Sequence, residues 1–299
     1  MVKRIRLPKC CDQQMSAHVD LLCIYGTRCH CQSRVLNAAT TASYFLPDVT
    51  NARGSSILSV IGLVPSTGEY KVLRIHSQLM ADLYTLEQSC EVITLGIDGQ
   101  ERWRTKQGPL ICVDLDDKSM ASVDGVMYFL FSPYGIDRAN IEPDGIASFD
   151  LRTEEWRAVT LQGPLSTHIA RAANKKLSYR KCREGLQLAK LDGRLVTIHT
   201  SQDCCSMNLW FLEDAGKGLW IKKYFLDYEP NWTCAVLGLA LPYPLMLLDD
   251  GRIVVWVPLK HALTAYDPVT RTWAILATMS GYYTIRMHEG SFLSSRLRS

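Results

Sequence analysis

The 299-residue sequence has no excess of either charge and no long apolar run. Its 33 lysines and arginines against 30 aspartates and glutamates leave a net charge of +3, too balanced for a dedicated nucleic-acid or membrane-surface protein. The longest nearly uncharged apolar stretch, Cys234 to Leu248, is broken by Pro242 and Pro244 and is too short for a transmembrane helix. No apolar signal core follows the basic start Lys3-Arg4-Ile5-Arg6, so no secretory leader is expected. The motifs G-x-S-x-G, H-E-x-x-H, G-x-x-x-x-G-K and G-x-G-x-x-G are all missing, which removes the usual hydrolase, metalloprotease and nucleotide-binding readings. Helical periodicity is scarce. Gln78 to Tyr84 reads as one turn or a loop, and Arg171 to Gly185 as a short basic helix.

Turn residues and short β-rich runs dominate instead. Asp-Gly occurs at 98–99, 124–125, 144–145, 192–193 and 250–251, and this pair suits hairpin turns that need positive φ. Runs rich in branched and aromatic residues follow three of them: Val126–Phe131, Arg194–His199 and Arg252–Val257. An all-β fold follows.

Self-comparison shows a repeated unit, aromatic-D-x-x-T-x-x-W. It is clearest at Phe149, Asp150, Thr153 and Trp156, and again at Tyr266, Asp267, Thr270 and Trp273. Weaker copies use Asp214 and Trp220, a shortened Asp98 and Trp103, and Asn37, Thr40 and Tyr44. Asp or Asn opens a tight turn by accepting backbone N–H groups, and the Trp starts the next strand and fills the gap between neighbouring sheets. First positions at 37, 98, 150, 214 and 267 predict one four-stranded blade per repeat, hence a β-propeller of five or six blades. The expected blades run over 21–46, 70–103, 123–159, 191–224 and 248–276, and strands near 282–287 are candidates to close a ring. A large β-sandwich is the other fold considered, but it leaves the repeat unexplained.

Four stretches resemble the F-box-associated domain of plant F-box proteins, a kelch-like propeller. They are Val35-Leu36-Asn37-Ala38-Ala39-Thr40, the run from Gly62 to Val72, Val123-Asp124-Gly125-Val126-Met127-Tyr128, and Ile146-Ala147-Ser148-Phe149-Asp150. The resemblance implies a propeller over residues 20–290, with 1–19 before it and 291–299 as a tail. It implies a protein-interaction module that captures a target protein for ubiquitin transfer and has no catalysis or cofactor of its own. The segment 1–19 shows no leucine-rich helical pattern, so no F-box and no direct binding of a Skp-type adaptor are expected. A propeller enzyme or small-ligand binder, with a site at a channel mouth, is the alternative.

The remaining features receive structural readings. The acid pairs Asp116-Asp117 and Asp249-Asp250 sit beside turns. Cys29-His30-Cys31, with Cys23 and Cys10-Cys11, is the only metal-like cluster, and its spacing departs from that of zinc sites. Eleven cysteines, an odd number with two adjacent pairs, suggest a reduced cytoplasmic or nuclear protein. The basic run Arg171, Lys175, Lys176, Arg180, Lys181 and Arg183 reads as a solvated insertion, with an acidic protein partner and a nuclear-import or nucleic-acid patch as other readings. Long loops at 97–107, 132–142, 163–185 and 258–263 are the expected contact regions, with no contact residue assigned within them.

Overall fold

The structure is a computed structural model that describes residues 13–18, 21–26, 32–37, 40, 42–47, 56–79, 86–96, 101–132, 144–165, 183, 185–201, 206–228 and 241–279. Among these residues the chain forms five four-stranded antiparallel sheets, the blades of a β-propeller, with strands in sequence order within each. Two sheets lie in one compact unit, residues 1–109 with 288–299, and three in a second, residues 110–287.

In the first unit, sheet 1 contains β1 (Gln13–His18), β2 (Leu21–Gly26), β3 (Arg34–Asn37) and β4 (Ser43–Phe45). Sheet 2 contains β5 (Ser56–Val64), β6 (Glu69–Leu79), β7 (Leu86–Leu95) and β8 (Arg104–Lys106). The Ser16 hydroxyl of β1 donates to the Ser59 carbonyl (2.9 Å) and accepts the Ile61 N–H (3.1 Å), joining the first strands of the two sheets.

In the second unit, sheet 3 contains β9 (Met120–Val123), β10 (Val126–Leu130), β11 (Ile146–Asp150) and β12 (Glu155–Trp156). Sheet 4 contains β13 (Leu186–Leu191), β14 (Arg194–Thr200), β15 (Ser206–Asp214) and β16 (Leu219–Asp227). Sheet 5 contains β17 (Tyr243–Leu247), β18 (Ile253–Val257), β19 (Ala262–Asp267) and β20 (Thr272–Thr278). Adjacent first strands again meet: the Tyr243 hydroxyl donates to the Leu188 carbonyl at 2.8 Å.

The three apolar runs read from the sequence are the second strands β10, β14 and β18. Both faces of a second strand are covered, so every residue of β10 and β18 is buried and the runs are continuous instead of alternating. The fourth strands are mostly exposed. In β16 and β20 a bulge leaves Lys223 and Leu276 without a register partner. Each lies three residues after the repeat tryptophan, and a bulge there twists an outer edge away from pairing.

Several boundaries differ from the sequence reading. The first strand lies at Gln13–His18, within the segment read as preceding the propeller, because its polar sequence QQMSAH hides it. Sheet 2 starts at Ser56 instead of Tyr70. Gln78 and Leu79 end β6 instead of forming a helical turn. Asp144-Gly145 is no hairpin; it enters β11 after a long segment. The possible helix over 171–185, apart from Arg183 and Gly185, and the strands near 282–287 lie outside the described residues.

The Asp124-Gly125 and Asp192-Gly193 hairpins place both central residues at positive φ (49° and 78°, 50° and 70°), the I′ geometry that matches strand twist. A Cβ added at Gly193 would meet nothing within 4 Å, so only backbone strain opposes it. Gly193→Ala is expected to cost about 1 kcal/mol, read as a lower urea midpoint with unchanged slope.

Candidate functional site

Antiparallel order gives each sheet two unlike ends. Links from first to second and from third to fourth strand share one end; links from second to third strand, and on to the next sheet, share the other. In sheet 3 the Leu151 N–H donates to the Gly125 carbonyl (2.9 Å), placing its two tight turns side by side.

The tight-turn end is built by the repeat. Asn37 Oδ1 accepts the Thr40 N–H at 2.9 Å. Asp150 Oδ1 accepts Arg152 and Thr153 N–H (3.0 and 3.4 Å), and Asp267 Oδ1 accepts Val269 and Thr270 N–H (2.8 and 3.2 Å). Asp214 Oδ1 accepts the Lys217 N–H (3.1 Å). Four residues after the Asp, each of these last three turns reaches positive φ, at Glu154, Arg271 and Gly218. Asp98 lies outside the described residues.

Three of the four repeat tryptophans strap consecutive sheets. Trp103 Nε1 donates to the Pro47 carbonyl just beyond β4 (3.0 Å), Trp220 to Gln162 beyond β12 (2.9 Å), and Trp273 to Asp227 of β16 (2.7 Å). Trp156 packs against Phe129 and Phe149, with ring centroids 5.6 and 5.2 Å away. Its buried Nε1 has no hydrogen-bond partner among the described residues. Tyr44 stands at the equivalent place in β4, and its buried hydroxyl is pushed far above the usual phenol range, chiefly by desolvation. These residues are architectural.

The opposite end carries the longer segments, most prominently 131–145 and 157–185, the excursions of the third sheet. Two buried ionisable side chains fix their bases. Arg183, with its side chain 5% exposed, donates to the carbonyls of Phe131 (3.0 Å) and Leu186 (3.4 Å), to Asp114 Oδ2 (2.6 Å) and to Ser119 Oγ (3.1 Å). It therefore joins the start of the first segment to the end of the second. Asp144, fully buried, accepts the Leu165 N–H at 2.6 Å and joins the end of the first to the start of the second. Gly163 lies against its carboxyl, which a Cβ would approach to 2.6 Å. Arg183 thus departs from the reading of the basic run as solvated; the rest of the run lies outside the described residues. Of the expected contact region 97–107, residues 97–100 lie outside the described residues and Arg104–Lys106 form β8, while 258–263 holds the short 3-10 turn Pro258–Lys260 and the start of β19.

The sequence placed Arg183 in a basic run and Asp144 in an Asp-Gly pair, and neither signal pointed to a buried clamp. The acid pairs do sit at turns: Asp116 Oδ1 accepts the Lys118 N–H (2.8 Å), and burial pushes its carboxyl up. Cys23 is fully buried on β2, where desolvation raises its thiol to about 12 against a smaller downward pull from Arg74. The other cysteines of the metal-like cluster lie outside the described residues.

Arg183→Met is expected to destabilise by about 3 kcal/mol, because it strips the cation from a mostly buried pair; thermal and urea unfolding measure this. For Asp150, burial raises the carboxyl, but Arg157 and the turn N–H groups outweigh it and hold it below the ordinary range. Its contribution is present above about pH 4 and is lost as pH falls through the folded-state value. Asp150→Asn should therefore lower stability at pH 7 and flatten the acid limb of the stability profile.

Comparison with known proteins places the chain. An Arabidopsis thaliana F-box protein is 25% identical over 226 residues, covering 75% of this chain and 50% of the relative. A second A. thaliana protein, provisionally named an F-box protein, is 26% identical over 244 residues, covering 80% and 56%. The chain spans about half the length of these curated relatives. Among solved structures, YjhT shares the fold with a TM-score of 0.51 at 9% identity, covering 91% of this chain and 84% of that one. Residues 3–255 match the F-box associated beta propeller domain, and the chain belongs to that family.

Proposed function

We propose that this propeller is a protein-interaction module that captures a target protein, the recognition part of an F-box type ubiquitin ligase receptor, acting in the cytoplasm or nucleus. The observation that carries this reading is the contrast between the ends of the third sheet. One end is closed by repeat turns, and at the other two buried ionisable side chains set the bases of the longest segments. Loops held on a rigid scaffold are where binding residues concentrate, and burying Asp144 and Arg183 makes sense where the geometry of such loops matters. Family membership supports target recognition as the role of the domain. Adaptor binding belongs to an F-box, and among the described residues every element except the turn Pro258–Lys260 is a strand, so these sheets contain no helical docking module.

The test is site-specific photocrosslinking in plant extract. Leu259 follows β18 at the long-segment end and is 49% exposed; Val269 lies in a repeat turn and is 89% exposed. A crosslinker at 259 should trap a discrete protein, and one at 269 should trap none. Adducts only from 269, or from neither, would refute the reading.

A further inference from the structure

Sheet 5 ends in an outer strand unlike those of the other four sheets. An exposed strand edge is a template for pairing with another chain, and proteins guard it by short length or by charge. Strands β4, β8 and β12 have only three, three and two residues. The nine-residue β16 carries Lys222 and Lys223 at its middle. The seven-residue β20 reads TWAILAT and has no charged residue. It is the last strand of its sheet, and among the described residues nothing pairs with its outer edge. Ile275 is 64% exposed and Leu276 47%, so the apolar exposure lies at the centre of the strand.

The bulge gives this edge a symmetry. Trp273, Ile275 and Thr278 oppose Tyr266, Thr264 and Ala262, alternate residues of β19, and so share one face of the sheet. Ala274 and Ala277 oppose Ala265 and Leu263 and share the other face. Leu276, the bulged residue, is the break in the alternation. The face pattern therefore reads the same in both directions from a point between Ile275 and Leu276. Two antiparallel copies of β20, related by a two-fold axis through that point, place Trp273 opposite Thr278 and Ala274 opposite Ala277, each pair on a common face. The two exposed apolar side chains, Ile275 and Leu276, then face each other across the axis, and no like charges are opposed.

We propose that β20 is a self-association edge: two copies of the chain pair β20 with β20, antiparallel about an axis between Ile275 and Leu276, and join their fifth sheets into one continuous sheet. The bulge selects this occupant. It twists the edge away from an ordinary flat strand, whereas a second copy carries the same bulge and hence the same added twist, and strongly twisted pairs are tolerated where two strands meet. In β16 the bulge is reinforced by two lysines; in β20 it stands alone. The proposal is separate from target capture, which was assigned to the long-segment end.

The test is sedimentation equilibrium of the purified full chain, under reducing conditions and over a range of concentrations. One strand pair is a small seam beside the about 1,200–2,000 Å² of a stable interface, so a reversible dimer with a micromolar dissociation constant is expected. Ile275→Lys and Leu276→Glu should each weaken it about tenfold or more, because symmetry places every new charge in the seam twice. Mixed in equal amounts, the two variants should pair with each other about as well as the original chain does, since the introduced ammonium then faces the introduced carboxylate. Val159→Lys, at an 82% exposed site outside sheet 5, should leave the dimer unchanged. All three positions are exposed, so the variants should melt close to the original chain. A chain that stays monomeric, a dimer that either seam variant leaves intact, or variants that fail to pair when mixed would overturn the seam. An equal loss from Val159→Lys would overturn it in favour of diffuse apolar association. A photocrosslinker at 275 that traps a foreign protein from plant extract and no second copy would overturn the choice of occupant. Adducts from position 259 bear on target capture alone, and any adduct of twice the chain mass counts as a second copy.

Discussion

Everything in this protein depends on sheets covered on both faces. A strand buried front and back cannot alternate, so β10 and β18 are apolar throughout, and these inner strands have little freedom to carry chemistry. Polar character is pushed to the strand ends and outer edges. At the ends it meets an opposing demand, because each reversal leaves backbone groups that need partners. The acidic or amide residue that opens each repeat turn meets that demand locally, using its own side chain as acceptor. The turn can then be short and self-contained, which is why the same few residues recur while the strands between them diverge.

The longer excursions of sheet 3 cannot satisfy themselves this way. Their bases are held by long-range partners: Arg183 reaches back 52 residues to Phe131 and 69 to Asp114, and Asp144 reaches forward 21 to Leu165. An arginine suits the first task because its planar fork donates several bonds at once while remaining charged. Such interactions leave no local mark in the chain. The fold was legible from the spacing of Asp150 and Trp156 with Asp267 and Trp273, and from runs such as Arg252–Val257. The clamps were not legible, since nothing around Arg183 distinguishes it from the basic residues before it. Gln13–His18 escaped notice for a different reason: a first strand of polar residues is placed by pairing with Leu21–Gly26, not by its own composition. Family resemblance identified the kind of fold, but it left open which end of each sheet faces a partner.

The tryptophan straps explain why the repeat survives where its consensus fades. In sheet 5, Trp273 packs on Tyr266 at 4.7 Å and Tyr228 at 6.1 Å. In sheet 2 the Arg74 guanidinium lies 3.7 Å from the Trp103 ring centroid. One partner is aromatic and the other cationic, yet the indole N–H reaches the preceding sheet in both. The constraint is on the donor and the ring, and whatever flat or polarisable group completes the packing is acceptable. Arg74 in turn sits near Glu91, whose carboxyl is held below its ordinary range by the His76 hydrogen bond and, more weakly, by Arg74, against the upward push of burial. A substitution in one sheet is thereby absorbed by charge chemistry that the other sheets do not need.

The same logic separates Trp210 from the repeat tryptophans. It is not at a repeat position, and its row ends in a lysine. Sheet 3 ends in a two-residue strand, β12, while sheet 4 continues outward to the nine-residue β16. A short fourth strand beside a long one supplies less sheet to cover the outer rows than β16 presents. Those rows hold Lys222 and Phe225, and the buried unpaired atoms of Thr197, Asn208 and Trp210 lie just inside them. The mismatch in strand length thus coincides with the departure from repeat chemistry.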